Sequence, residues 1–347
     1  MKPELSRRRL LQASAALGGL ALPGRARAAS PDRKFLFLHC SGGWDTPRVF
    51  QPNFASSVVT MESDATAAET GGIAFVDHPD RPAVRSFLER YASRTCVMNG
   101  IEVRSITHER CRRIISTGVA DGEADDWGAT LAAYAQDRVL LPYFVMSGTA
   151  FTAEYTDRVV RVGSSGQLGK LLDGTVLAMA DVPTPLPSDT RAALVDAFVR
   201  SRWDSSASPI ALAGASALDD IDALLEVNNL SIGGYGSGCS ALPGQLSAVW
   251  DVFEQGLARS ALVEYKGWCA QGWDTHSNGE LQSMNFEELF DALSTGLADL
   301  DTRTSAGGTP LSDEVVVVVF SEMGRTPREN EGGGRDHWTF TSAMFLG

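Results

Sequence analysis

Near the C-terminus, Val315-Val316-Val317-Val318-Val319-Phe320 forms an unbroken apolar run with no polar alternation. Such a run marks a strand covered on both faces, and strands of that kind lie inside parallel α/β sheets. In open sheets of this class, ligands bind beyond the carboxyl ends of the strands. Chemistry is therefore expected in the two polar segments after the run, Ser321-Glu322-Met323-Gly324-Arg325-Thr326-Pro327-Arg328 and Gly334-Arg335-Asp336-His337-Trp338. Glu322, Asp336 and His337 offer oxygen and nitrogen donors suited to a divalent metal. The plainer alternative is that they are loop polars capping a strand.

A second stretch favours the metal. Ala261-Leu262-Val263-Glu264-Tyr265 reads as another strand and leads to Gly272-Trp273-Asp274-Thr275-His276-Ser277-Asn278. Two strand ends that a parallel sheet brings together thus each carry carboxylate and imidazole, which makes Asp274, His276, Glu322, Asp336 and His337 candidate ligands of one centre.

The order Gly-Trp-Asp-Thr-His-Ser-Asn, a valine strand, Glu-Met-Gly-Arg-Thr-Pro-Arg and Gly-Gly-Arg-Asp-His-Trp resembles an uncharacterised bacterial family of exported, sulfatase-like proteins. That family is a domain of unknown function placed in the alkaline phosphatase superfamily. The resemblance is specific in residues 272–338, looser in 31–130, and absent between about 145 and 245. It implies a doubly wound, mostly parallel α/β sheet of alkaline phosphatase or sulfatase type. It also implies one or two divalent ions (Zn, Mn, Ca or Mg) and hydrolysis of a phosphate or sulfate ester in a small anionic or polysaccharide substrate. The alternative is a noncatalytic secreted binding or structural protein that keeps the fold, since fold does not fix function.

Relatives in that superfamily carry a metal-binding aspartate after the first strand. Here Phe35-Leu36-Phe37-Leu38 is that strand, His39-Cys40-Ser41-Gly42-Gly43-Trp44-Asp45-Thr46 follows it, and Asp45 is the candidate. An N-cap or turn role is the alternative, and Cys40 reads as a small buried hydrophobe rather than a thiol nucleophile. Sulfatases place a nucleophilic cysteine in Cys-x-Pro-x-Arg, ten positions before a Thr-Gly. Counting back ten from Gly118 reaches His108, without the signature cysteine or proline, so formylglycine chemistry is not expected. Thr107, or Ser105 in reserve, is the hydroxyl nucleophile the comparison implies, with His108 as metal ligand or proton carrier. Arg104, Arg325 and Arg335 are candidates to hold the anionic group. The resemblance also departs at one position: relatives follow this late strand with an aspartate and then His or Asn, whereas this chain has Glu322 and Met323. A thioether is a poor ligand for a hard cation, so both a single-metal site and a degenerate one fit the departure.

At the other end, Ser6-Arg7-Arg8-Arg9-Leu10-Leu11-Gln12 precedes the small apolar run Ala13 to Leu22, and Ala26-Arg27-Ala28 offers a cleavage site. Residues 1–28 read as a twin-arginine signal, delivering the protein through that export machinery to the periplasm or beyond. The apolar run is too short and too rich in Gly and Ala to span a bilayer. Residues 29–347 are long enough for one α/β domain, with about 145–245 as a cap or insertion, and the final strand-like Ala343 to Gly347 reads as the point where a longer family domain is interrupted.

The chain carries −13, and because residues 1–28 hold a net +5, the remainder carries −18. Such a field argues against nucleic acid or anionic membrane as a partner. Cys40, Cys96, Cys111, Cys239 and Cys269 are odd in number and lack a C-x-x-C pair, so no disulfide framework or zinc knuckle is expected. Helices are expected after Arg81-Pro82, with Val84, Phe87, Leu88 and Tyr91 on one face, near 191–200 and 218–226, and through Phe286, Leu289, Phe290, Leu293 and Leu297. The glycine-rich Gly233 to Gly238 lacks the strand before it and the Lys-Ser/Thr after it that a phosphate loop needs, so it reads as a loop. His78, in the turn-like Asp77-His78-Pro79-Asp80, reads as a surface residue.

Overall fold

The computed structural model describes residues 33–135, 138–162, 168, 189–204, 206, 208–227, 239 and 241–347. The expected signal at 1–28 and the runs 163–166, 183–187 and 233–238 lie outside the described residues. In chain order the strands are β1 (Lys34–Cys40), β2 (Thr66–Thr70), β3 (Ile73–Asp77), β4 (Thr95–Glu102), β5 (Tyr143–Val145), β6 (Val159–Arg161), β7 (Ser260–Tyr265), β8 (Val315–Phe320), β9 (Gly324–Arg325), β10 (His337–Trp338) and β11 (Phe340–Leu346). The α-helices are α1 (Pro82–Tyr91), α2 (His108–Thr117), α3 (Trp127–Ala133), α4 (Asp189–Asp204), α5 (Pro209–Glu226), α6 (Leu242–Glu254) and α7 (Glu280–Leu300).

Seven strands form one sheet in the order β4-β11-β8-β1-β7-β5-β6. The pairings of β1 with β7 and β8, and of β5 with β7 and β6, are parallel. Only β11 runs against its neighbours β4 and β8. The result is a mixed α/β protein with a mostly parallel central sheet, as the valine run demands.

Side chains alternate across the sheet. Leu36, Leu38 and Cys40 join Val317, Val319 and Val263 on one face, packed against Val84, Phe87, Leu88 and Tyr91 of α1 and Phe286, Leu289, Phe290, Leu293 and Leu297 of α7. Phe37, Leu262 and Phe320 face the opposite way, onto Ala129 and Ala132 of α3 and Tyr143. Helices on both faces explain why β8 needs no polar residue, and each fully buried aliphatic or aromatic side chain contributes roughly 1.5–3 kcal/mol. Cys40 is buried in this core as a small apolar group.

The register fixes where the site falls. His39 lies opposite Glu264 of β7 on one side and Phe320 of β8 on the other. The loops after β1, β7 and β8 therefore leave the same edge of the sheet. At the opposite end of β1, Lys34 Nζ meets Glu314 Oε2 at 2.6 Å, both buried, which pins the start of the β1–β8 pair.

Two expectations need correction. Cys239 and Cys269 form a disulfide, joining residues 30 positions apart, because the fold brings residue 239 against the turn Trp268–Ala270. His78 is not a free surface residue: its side chain is 9% exposed, its Nδ1 accepts from the Asp80 N–H at 3.1 Å, and it faces Glu62. Among the described residues, no helix is long and apolar enough to cross a membrane.

Candidate metal centre

Three loops and one helix start build the site. Asp274 and His276 follow β7, Glu322 follows β8, and Asp336 and His337 lie at the short β9–β10 ribbon, where His337 pairs with Arg325. His108 begins α2.

The distances define a centre of converging lone pairs. Asp274 Oδ1 lies 3.1 Å from His337 Nε2 and 3.1 Å from His276 Nε2, and the two imidazole nitrogens are 2.9 Å apart. Asp274 Oδ2 lies 3.3 Å from His108 Nε2. The other nitrogen of each ring is committed. His337 Nδ1 donates to the Ile106 carbonyl at 2.7 Å, His276 Nδ1 to Asp336 Oδ1 at 2.9 Å, and His108 Nδ1 to Glu322 Oε1 at 2.9 Å. With each Nδ1 carrying the proton, the neutral rings present three Nε2 lone pairs toward the Asp274 carboxylate. Acceptors do not crowd at such distances without a cation or shared proton between them.

Two further observations fit a metal. The Nε2 atom of His108 is buried without a hydrogen-bond partner. Each imidazole is held from behind by a carboxylate or a carbonyl, the arrangement that orients metal-bound histidines. Ligand atoms of His108, Asp274 and His337 all lie within 4.8 Å of one another. His276 adjoins them, whereas Glu322 and Asp336 stand behind the rings of His108 and His276, each with one oxygen on an Nδ1 proton. Both carboxylates, expected as ligands, thus lie behind the imidazoles rather than among the converging Nε2 atoms.

Electrostatics follow from the contacts. Burial works to raise the Asp274 pKa, but the hydrogen bond and charge of the Arg325 guanidinium lead the contacts that outweigh it and bring the carboxyl to about 2. Burial likewise opposes ionisation of Glu322, yet hydrogen bonds from His108, His39 and the Gly42 N–H hold it well below the usual carboxylate range. The Glu322 hydrogen bond raises the pKa of His108.

Asp45 is not brought to this cluster. It is buried ahead of the 3-10 turn Thr46–Arg48, where its side chain caps nothing. Its Oδ2 contacts Arg48 Nε at 3.1 Å and Arg335 Nε at 3.0 Å. Two guanidiniums claim the carboxylate, so the expected metal role is corrected to an ion pair that ties the β1 loop to the segment before β10.

The three expected anion-binding arginines are placed differently as well. Arg104 has a side chain 82% exposed and leans on Glu102. Arg325 is buried and gives its donors to Gly42 O, Gly43 O, Trp273 O, Arg335 O and Asp274. Arg335 is also buried and bonds to the carbonyls of Thr60, Thr326 and Pro327. Both are spent on the framework. Thr107 is exposed at the N-cap of α2, its hydroxyl 3.2 Å from Ser105 Oγ and making no cap bond. It lies in the chain between Ile106, whose carbonyl holds His337, and His108.

Two residues were not singled out from the sequence. His39 Nε2 bonds to Glu322 Oε2 at 3.0 Å, and Arg112 Nη2 donates to Ser41 Oγ at 3.1 Å. The signal for Arg112 was its spacing of four from His108 on one helix. For His39 no local signal exists, since its role depends on the β1–β8 register.

A family described as "Protein of unknown function (DUF1501)" matches residues 256–347, the part holding Asp274, His276, Glu322, Asp336 and His337. No curated protein matches the chain. Among solved structures, it is similar to the integral membrane lipooligosaccharide phosphoethanolamine transferase A of Neisseria meningitidis (8% identity, TM-score 0.41, 98% of this chain and 54% of that one). The chain thus spans about half the length of that protein. It is also similar to the C-terminal periplasmic domain of EptC from Escherichia coli in complex with Zn (9% identity, TM-score 0.39, 94% of this chain and 76% of that one). A third similar structure is the alkaline phosphatase of the Antarctic bacterium TAB5 (10% identity, TM-score 0.39, 92% of each chain).

Proposed function

We propose that this is an exported, metal-dependent hydrolase of phosphate or sulfate esters, of alkaline phosphatase type. The observation that carries the reading is the convergence of three oriented imidazoles on Asp274, with His108 Nε2 buried and unpartnered. Asp274, His108 and His337, with His276 beside them, would hold one divalent ion. A set this rich in imidazole favours zinc over calcium or magnesium. Met323, fully buried against Val103 and Cys111, favours a single ion, because it turns a thioether into the core where a second ligand would stand. A cation bound there supplies charge stabilisation for the transferred group and eases ionisation of an oxygen nucleophile.

The protein's own groups do the rest. Glu322 and Asp336 keep His108 and His276 in the tautomer that faces Asp274. The Thr107 hydroxyl stands at the start of α2, where free backbone N–H groups and the helix dipole favour negative charge. We assign it as nucleophile, with Ser105 in reserve. The Cys239–Cys269 disulfide supports export, since such bonds persist in oxidising compartments.

The test is turnover of aryl phosphate and aryl sulfate by the purified protein, with Thr107→Ala alongside. Hydrolysis is expected, and the variant should lose at least about a hundredfold in kcat with metal content unchanged. Absence of turnover of both esters by the metal-loaded protein would favour a noncatalytic binding protein. Full kcat in Thr107→Ala would place the attack on water, with residues 104–110 lining the pocket.

A further inference from the structure

The helix that begins with His108 carries a second polar group toward the same strand ends. Arg112 lies one turn on, so the two side chains share a face of α2. Its Nη2 donates to Ser41 Oγ at 3.1 Å. The Ser41 carbonyl accepts from the Trp273 N–H, the residue before Asp274, and the next N–H, that of Gly42, bonds to Glu322. The guanidinium is therefore anchored on the loop that supports the metal centre.

Unlike five other arginines of the loops and strand ends nearby, Arg112 has no carboxylate partner among the described residues. Arg48 and Arg335 have Asp45, Arg81 has Glu62, Arg325 has Asp274 and Arg104 has Glu102. Arg112 has a single hydroxyl, and its Nε is buried with no partner. In a chain of net charge −13, carboxylates are plentiful, yet none among the described residues pairs with this half-buried guanidinium. An uncompensated charge next to a site is costly unless a ligand neutralises it. The guanidinium fork matches two oxygens of a tetrahedral oxyanion.

We propose that Arg112 holds the tetrahedral oxyanion of the substrate, a phosphate or sulfate group, beside the metal centre. The proposal rests on the metal-dependent esterase reading and names the residue that recognises the anionic group. It makes Arg112, rather than Arg104, Arg325 or Arg335, the binding cation.

The experiment uses the full chain loaded with zinc and freed of excess metal, titrated calorimetrically with sodium orthophosphate and separately with sodium sulfate. Wild type should bind at least one anion, and the anion bound more tightly identifies the ester class. Arg112→Gln should weaken that binding roughly ten- to a hundredfold, with zinc content and melting temperature unchanged. Should the glutamine variant not fold, Arg112→Lys carries the same test. It keeps the charge and loses the fork, and roughly three- to tenfold weaker binding is expected. Equal affinity in wild type and a folded variant, or no binding of either anion by wild type, overturns the assignment of Arg112. Zinc content reports separately on the reading beneath it: a chain that takes up no zinc or other divalent ion contradicts the metal centre itself.

Discussion

Glu322 has almost no access to water, and it accepts from His39, His108, Ser321 and the Gly42 N–H. So many donors on one buried carboxylate keep it ionised and fix the ring of His108. Asp126 shows the opposite balance. It caps α3 through the Ala129 N–H and accepts from the Phe151 N–H and Tyr143 hydroxyl, but burial outweighs these bonds and raises its pKa to about 6. Between its ordinary value of 3.8 and about 6 the folded state binds more protons than the unfolded one. Its contribution to stability is therefore full below about pH 4 and is lost as pH rises through about 6. Urea denaturation of wild type and Asp126→Asn should show the wild-type advantage shrinking by up to roughly 3 kcal/mol between pH 4 and pH 7. A difference that stays flat over that range would contradict this account of Asp126. Residues such as Asp274, His276, Asp336 and His337 were legible in the sequence because each sits in a short polar run after a strand. The placement of Glu322 and Asp336 behind the imidazoles was not, because it depends on which Nδ1 each oxygen meets in space.

At the scale of elements, the loops after β1 and β7 meet backbone to backbone at Gly42. Gly42 has φ +129°, and a Cβ there would lie 2.7 Å from the Asp274 nitrogen and 2.9 Å from that of Trp273. The same residue donates to Glu322 and accepts from Arg325, so the closeness holds the site together. Gly42→Ala combines a strained backbone with an overpacked contact and should cost at least about 2 kcal/mol, while weakening metal binding. Thermal melts and metal titration check this, and a variant with wild-type stability and metal affinity would refute it. The elements that sequence patterning located, β1, β7, β8, α1 and α7, have either long apolar runs or a repeating helical face. β5 and β6 escaped because three residues carry no period. The antiparallel sense of β11 escaped because the pattern of a covered strand is the same in either direction.

For the whole molecule, β1, β7 and β8 at the middle of a mostly parallel sheet send three loops to one edge, and this is what gathers the candidate site from residues 39–43, 108–112, 274–276, 322 and 336–337. The α/β class was readable from the valine run. The region from about 145 to 245 offered no motif, and of it the structure adds chiefly α4 and α5. Export is the second whole-molecule proposal, resting on Arg7, Arg8 and Arg9 ahead of the Gly/Ala-rich run. Replacing all three by lysine should strand the protein in the cytoplasm on cell fractionation, and undiminished export of that variant would remove the twin-arginine reading. The central claim is that the lone pairs around Asp274 enclose a metal ion. Elemental analysis of the purified full chain tests it most directly, with His108→Ala and Asp336→Asn measured beside it. About one zinc or manganese per chain is predicted, lost in His108→Ala and held roughly ten- to a hundredfold more weakly in Asp336→Asn, where only the support of His276 is altered. A wild-type protein that carries no divalent metal after incubation with zinc or manganese, or a His108→Ala variant that retains it at full stoichiometry, would contradict the claim.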